Sequence, residues 1–227
     1  MLNEFETEYE LQNNTIDLQI SYGASNLLTQ QIIKGAPANI FVPAGTGPIE
    51  ILNKKVNSNL QIHSFISNEL ILVSNPNTQI DISNISELSK VDITRFAIAD
   101  PKLAPAGEYS KIALQNNSLW KVLEPKLVLA SDVRAALTYI STGNAEIGIV
   151  YATDAITKPT LKTTQIPIDS YPKIQYPIIL IDDQNHKNEI DNLIEYLLSA
   201  KTVPAINKYG FIKIEEVEIL EKQALPK

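Results

Sequence analysis

The sequence predicts an α/β protein of open sheets with helices packed on their faces. Three observations carry that expectation: short strand-like runs alternate with amphipathic helical patterns along almost the whole chain, no apolar run reaches the ~18–20 residues of a membrane-spanning helix, and cysteine is absent. With 227 residues, 44% hydrophobic and 20% charged, the chain can bury a core without staples and has room for one large domain or two lobes, at ~100–200 residues per domain. The absence of thiols excludes a disulfide framework, a thiolate metal site and a cysteine nucleophile. A net charge of −7 argues against nucleic acid or an anionic membrane as partner, which would need clustered Lys and Arg. It still allows a small anion held by local dipoles.

The elements follow in order. Leu2, Phe5 and Tyr9 fall on one helical face, and Asn13-Asn14 breaks that helix. The run Met1-Leu2-Asn3-Glu4-Phe5-Glu6 has neither the basic n-region nor the apolar h-region of a secretory signal. Ile16, Leu18 and Ile20 alternate as a strand. Ser25 precedes a helix carrying Leu28 and Ile32, ended by Gly35 and Pro37. Ile40–Val42 reads as a short buried strand, Ala44–Pro48 as a loop, and the stretch after it as weakly helical. Leu70–Val73 is a strand, followed by a turn at Ser74-Asn75-Pro76-Asn77. Asn84 or Ser86 caps a short helix through Leu88. Phe96–Ala99, Leu127–Leu129, Ile147–Tyr151 and Ile178–Ile181 are further strands. Helices are expected around Tyr109, Ile112 and Ala113, around Val133, Leu137 and Ile140, and from Ile190 to Leu198, which yields to Val203-Pro204. An acidic helix is expected from Glu215 to Lys222. Such alternation is the mark of βαβ units in a parallel sheet, but here the pattern opens inside a helix, as if a first strand lay outside the chain.

Three segments place small or polar residues where a strand meets a helix N-terminus: Gly23-Ala24-Ser25-Asn26, Ala104-Pro105-Ala106-Gly107 and Ala130-Ser131-Asp132-Val133. In open α/β sheets ligands bind there, because unpaired N–H groups point outward and the helix dipole favours an anion. Each segment also has an ordinary structural reading: Ser25 and Ser131 as N-caps, Pro105 and Gly107 as turn formers. Tyr151 ends a buried-type strand and is either a core tyrosine or a hydroxyl at the same strand ends. Enzymatic signatures are missing: His63 and His186 sit in polar surroundings without metal-ligand spacing, and there is no G-x-S-x-G, P-loop or G-x-G-x-x-G. Asp81, Asp92, Asp100, Asp132 and Asp154 are scattered, with Asp100-Pro101 best read as a turn, and Trp120 reads as a core anchor.

Several blocks then carry a more specific signal. They are Gln31–Val42 with its Gly35-Ala36-Pro37-Ala38, Ala97–Tyr109 with Asp100-Pro101 and Pro105-Ala106-Gly107, Leu119-Trp120, Glu124–Leu127, Asp132–Leu137, Ala145–Ala155, Tyr176-Pro177 and Lys208–Phe211. In this order, from about residue 1 to Phe211, the chain resembles the molybdate-binding proteins of bacterial ABC transporters.

The resemblance implies a periplasmic-binding-protein type II α/β fold of two βαβ lobes: residues 1–74 with 178–227, and residues 75–177. Leu70–Val73 and Pro177–Ile181 would be the two hinge strands. It implies a binding protein rather than an enzyme, with no cofactor. The ligand would be molybdate or tungstate, held between the lobes by Ser25, the backbone N–H groups of Ala106 and Val133, and the Tyr151 hydroxyl. A tetrahedral dianion with no proton to donate asks for donors only, and neutral dipoles supply them without Lys or Arg. The family's first strand, its serine-bearing loop and its signal segment are expected to fall outside this chain. Gly45-Thr46-Gly47-Pro48 stands where the family carries a more polar stretch. The implied partners are the permease subunits of an importer, the implied location is the periplasm or the cell surface as a lipoprotein, and the implied state is a monomer. The alternatives are a binding or effector domain of the same fold for another small anion or organic ligand, or an enzyme on this fold.

Overall fold

The computed structural model describes residues 1–55, 60–78, 80–181 and 186–214. The chain divides into two units, Met1–Ser67 with Ile174–Lys227, and Asn68–Lys173. The chain therefore passes between units earlier than the sequence boundaries of 74 and 177.

The first unit holds a four-stranded sheet. Its strands are β1 (Ile40–Phe41), β2 (Ile62–Asn68), β8 (Ile174–Leu180) and β9 (Ile212–Lys213), in the order β1-β8-β2-β9. Successive residues of a strand face opposite sides. Ile178 accordingly joins one apolar cluster and Ile179 another. The first cluster takes Phe5 and Tyr9 from α1 (Leu2–Gln12), Ile190, Ile194 and Leu197 from α8 (Lys187–Leu198), and Ile206 from α9 (Val203–Lys208). The second takes Leu28 and Ile32 from α2 (Ser25–Ile33) and Leu52 from α3 (Gly47–Lys55).

One expectation changes in this unit. Ile16–Ile20 is extended, and Ile16 and Leu18 do pack on the first cluster, but the segment belongs to no ladder among the described residues. Instead the Ile16 N–H donates to the Asn13 carbonyl and the Leu18 N–H to Glu10 Oε1, both local partners. Strand β2 and helix α9 were not legible, because β2 (Ile62-His63-Ser64-Phe65-Ile66-Ser67-Asn68) mixes polar residues into a mostly buried strand. The helix expected over Glu215–Lys222 lies outside the described residues.

The second unit holds β3 (Leu70–Ser74), β4 (Phe96–Ala99), β5 (Leu127–Ala130), β6 (Ile147–Tyr151) and β7 (Lys162–Gln165), in the order β5-β4-β6-β3-β7. Strands β5, β4 and β6 are parallel, joined by α4 (Pro105–Asn116), α5 (Trp120–Leu123) and α6 (Val133–Ser141). Strand β3 runs antiparallel to both β6 and β7, so the sheet is mixed rather than all-parallel. Paired on both sides, Leu70–Val73 is an inner strand of this sheet. Val73, Ala97, Ala136, Ile140 and Val150 form the core under α6. That helix ends at Gly143, whose φ of +78° is open to glycine at little steric cost. Leu119, 3% exposed, is the anchor after α4. Trp120 is only half-buried, with the Lys111 ammonium 5.3 Å from its ring centroid, and so is not the core anchor it is expected to be.

Glu146 ties together the starts of β4 and β6. Its carboxylate accepts from the Thr94 hydroxyl at 2.7 Å, the Arg95 N–H at 2.6 Å and the Thr94 N–H at 3.3 Å. Burial pushes this carboxyl up, but the hydrogen bonds from Thr94 and Arg95 and the Arg95 charge outweigh it and hold it below the ordinary range. A lowered folded pKa means stability that is present above the unfolded value of about 4.3 and is lost as pH falls through the folded one. Chemical denaturation between pH 7 and pH 3 is expected to show this loss, and Glu146→Gln is expected to flatten it. Parallel profiles for the two proteins would refute the role.

Candidate functional site

In the second unit the three sequence-predicted residues lie at the C-terminal ends of three adjacent parallel strands. Ala106 is the second residue of α4, which follows β4; Val133 is the first residue of α6, which follows β5; Tyr151 is the last residue of β6. Because β5, β4 and β6 are neighbours and parallel, their carboxyl ends share one edge of the sheet, where helix starts and strand ends meet.

The start of α4 is pressed hard against β4. The Asp100 N–H donates to the Ala130 carbonyl of the adjacent strand at 2.8 Å, and Asp100 Oδ1 accepts from the Lys102 N–H at 2.8 Å. Asp100 is therefore a turn former. A Cβ on Gly107 would overlap the Ala99 carbonyl oxygen and lie 2.7 Å from the Asp100 carbonyl carbon, so only glycine lets the helix start so close to the strand end. Ala104 caps α4, and its carbonyl takes the Gly107 and Glu108 N–H groups. Pro105 has no N–H, so the Ala106 N–H is the first donor of the helix, and it has no backbone acceptor among the described residues.

Helix α6 begins in a related way. Asp132, not Ser131, is its N-cap: its carboxylate accepts from the Ala135 N–H at 2.8 Å, and Ser131 Oγ donates to the other oxygen at 3.2 Å. The Asp132 carbonyl takes the Ala136 N–H, and the Val133 N–H, in the first turn, has no backbone acceptor among the described residues. Two acids flank this start. Burial pushes the Asp154 carboxyl above the ordinary carboxylate range, with Arg134 offsetting the shift and Asp132 adding to it. The Arg134 guanidinium stands 3.8 Å from Asp154. Tyr151 is half-buried and caps the short helix α7 (Ala152–Ala155).

The fourth residue, Ser25, belongs to the first unit. It is the first residue of α2 rather than its cap, which is Ala24. Its hydroxyl accepts from the Ala44 N–H at 2.9 Å. This hydroxyl therefore holds the loop after β1 in place, while its own hydrogen can serve another acceptor. The loop turns at Gly45, whose N–H donates to the Gln175 carbonyl at 3.1 Å. His63 is half-buried on β2 and His186 is exposed before α8. Among the described residues no group of three or more His, Asp or Glu could hold a metal ion.

A model of the bacterial extracellular solute-binding proteins matches residues 1–212. The chain belongs to this family. The solute-binding protein is 33% identical over 217 residues to YvgL of Bacillus subtilis, described as an ABC transporter substrate-binding lipoprotein, covering 92% of this chain and 81% of that one. To the molybdate-binding protein ModA of Escherichia coli it is 31% identical over 202 residues, covering 86% and 78%. Among solved structures, the substrate-binding domain of a protein described as a molybdenum ABC transporter from Clostridium difficile matches with a TM-score of 0.84 at 28% identity, covering 94% and 93%. The periplasmic molybdate-binding protein of Azotobacter vinelandii shares the fold, with a TM-score of 0.71 at 22% identity and 93% of each chain covered. The solute-binding protein thus has the periplasmic-binding-protein type II fold, and its relatives are ligand-binding components of ABC transporters, not enzymes. The molybdate in those relatives is a ligand and not a cofactor.

Proposed function

We propose that the protein captures molybdate or tungstate outside the cytoplasm, in the periplasm or as a surface lipoprotein, and delivers it to the membrane subunits of an ABC importer. Ser25 of the first unit and Ala106, Val133 and Tyr151 of the second are its donors. The observation that carries this reading is the pair of helix starts at Ala106 and Val133. Each offers an N–H with no backbone acceptor among the described residues, on adjacent parallel strands, next to the strand that ends in Tyr151. The molybdate-binding relatives support molybdate among the anions such a donor set could hold.

The chemistry is consistent. Backbone N–H groups and hydroxyls at helix N-termini stabilise a dianion without a counter-cation. The nearby Asp132 carboxylate is occupied by the Ala135 N–H and the Ser131 hydroxyl, and Asp154 is faced by Arg134. The acids at this edge are therefore engaged by donors of their own. A fixed set of donors also discriminates by size, since a smaller tetrahedral anion cannot reach all of them at once.

Titration calorimetry with sodium molybdate, tungstate and sulfate tests the proposal. Molybdate and tungstate are expected to bind, and sulfate at least about tenfold more weakly, a gap of about 1.4 kcal/mol. Equal affinity for all three, or heat from none, would refute it.

A further inference from the structure

The first passage of the chain between units is bonded directly to the segment that carries Tyr151. Asn68, Glu69 and Leu70 open the second unit. Leu70 is the register partner of Tyr151 across β3 and β6. One residue further along, the Ala152 N–H donates to the Glu69 carbonyl at 2.9 Å. One further still, Asn68 Nδ2 donates to Thr153 Oγ1 at 2.9 Å, while Asn68 Oδ1 accepts from the Glu69 N–H at 2.9 Å. Three consecutive residues on each side are thus matched, and the last match is between side chains. Asn68 is 4% exposed, so its amide is held in a buried setting where few alternative partners exist.

The second passage is tied into the same place. Tyr171, two residues before Lys173 closes the second unit, accepts the Leu70 N–H on its hydroxyl oxygen at 3.1 Å. The passages at 68–70 and 171–173 are therefore joined to each other through Leu70, and to the Tyr151–Thr153 segment through Asn68 and Glu69. A helix of only four residues, α7, could not hold Tyr151 by itself, because its one turn has little stability of its own.

We propose that Asn68, Thr153 and Tyr171 are positioning residues for the oxyanion site. They fix the strand end that bears Tyr151 and make the two interunit passages respond to what Tyr151 binds. This rests on the molybdate reading above and adds to it a route from the ligand to the passages. The route is physical: a side-chain pair, a backbone bond and a tyrosine hydroxyl, each between residues a substitution can separate.

The test uses the whole chain with sodium molybdate as probe, reading affinity by calorimetry and amide hydrogen exchange at Leu70 and Ala152. In the unaltered protein, molybdate is expected to slow exchange at both amides. Thr153→Val keeps the shape and removes the acceptor; it is expected to weaken molybdate binding about tenfold, the loss of one hydrogen bond, and to abolish the slowing at Leu70. Thr153→Ser is expected to restore both, which a purely packing role would not do. Tyr171→Phe, read in the same way, keeps the test decisive if Thr153→Val does not fold. It is expected to leave the Leu70 amide fast in the presence of molybdate. Unaltered protein that binds neither molybdate nor tungstate overturns the functional reading and this inference with it. Unaltered protein that binds, beside variants that bind as tightly with the same slowing at Leu70, overturns this inference alone.

Discussion

Gly107→Ala is expected to cost about 3 kcal/mol of stability, the upper part of the range for forcing an extra group into a packed site. A methyl there would overlap the Ala99 carbonyl and press on the peptide joining Asp100 and Pro101. The obstacle is backbone on every side, so no rotamer change relieves it. Either α4 must lift from the end of β4, or the turn at Asp100 must open and break the bonds from Asp100 to the Ala130 carbonyl and from Lys102 to the Asp100 carboxylate. Both responses move the Ala106 N–H. Denaturant unfolding should show the lower midpoint, and calorimetry should show molybdate affinity reduced by more than tenfold in whatever protein remains folded. An unfolding midpoint and affinity equal to those of the unaltered protein would mean that the close approach of helix and strand is not required.

Tyr151→Phe is expected to separate binding from folding. The substitution removes one oxygen from a half-buried strand end and leaves the ring, the β3 pairing and the following turn of helix in place. A hydrogen bond to a charged group contributes about 1.5–3 kcal/mol, so molybdate affinity should fall roughly 10- to 100-fold. Circular dichroism and unfolding of the ligand-free protein should show a folded chain. Undiminished molybdate affinity would remove the hydroxyl from the donor set. The contrast between the two variants is informative in itself: one acts through backbone placement and should damage fold and binding together, the other through a single side-chain atom and should damage binding alone.

How far these features were legible depends on whether they are local. The helix start at α6 is a local matter: Asp132 reaches an N–H three residues on, and that spacing is visible in the residues themselves. So are the turn at Asp100 and the stop at Gly143. Ser25 was legible as a helix start but not as the holder of Ala44, because its partner lies far along the chain. The pairing of Asn68 with Thr153 and of Tyr171 with Leu70 carried no local signal. A polar residue at a strand end reads as a turn or a surface position until its partner is known, and the partner of Asn68 is 85 residues away. Strand β7, with its polar Lys162-Thr163-Thr164-Gln165, was missed for the same reason: only pairing with β3 makes it a strand.

By itself the sequence determined where many of the elements begin and which face of each is apolar, and it offered small and polar residues at helix starts with no cysteine. These follow from periodicity, capping and residue chemistry, all of which act over a few residues. Only the tertiary structure decided which strands pair and in which direction. It left the alternating Ile16–Ile20 out of any described ladder, made Leu70–Val73 an inner antiparallel strand, and set the ends of β4, β5 and β6 side by side. A ladder needs a second strand in register, and a site needs donors from separate loops brought to one edge. Both are long-range matters that no local pattern encodes.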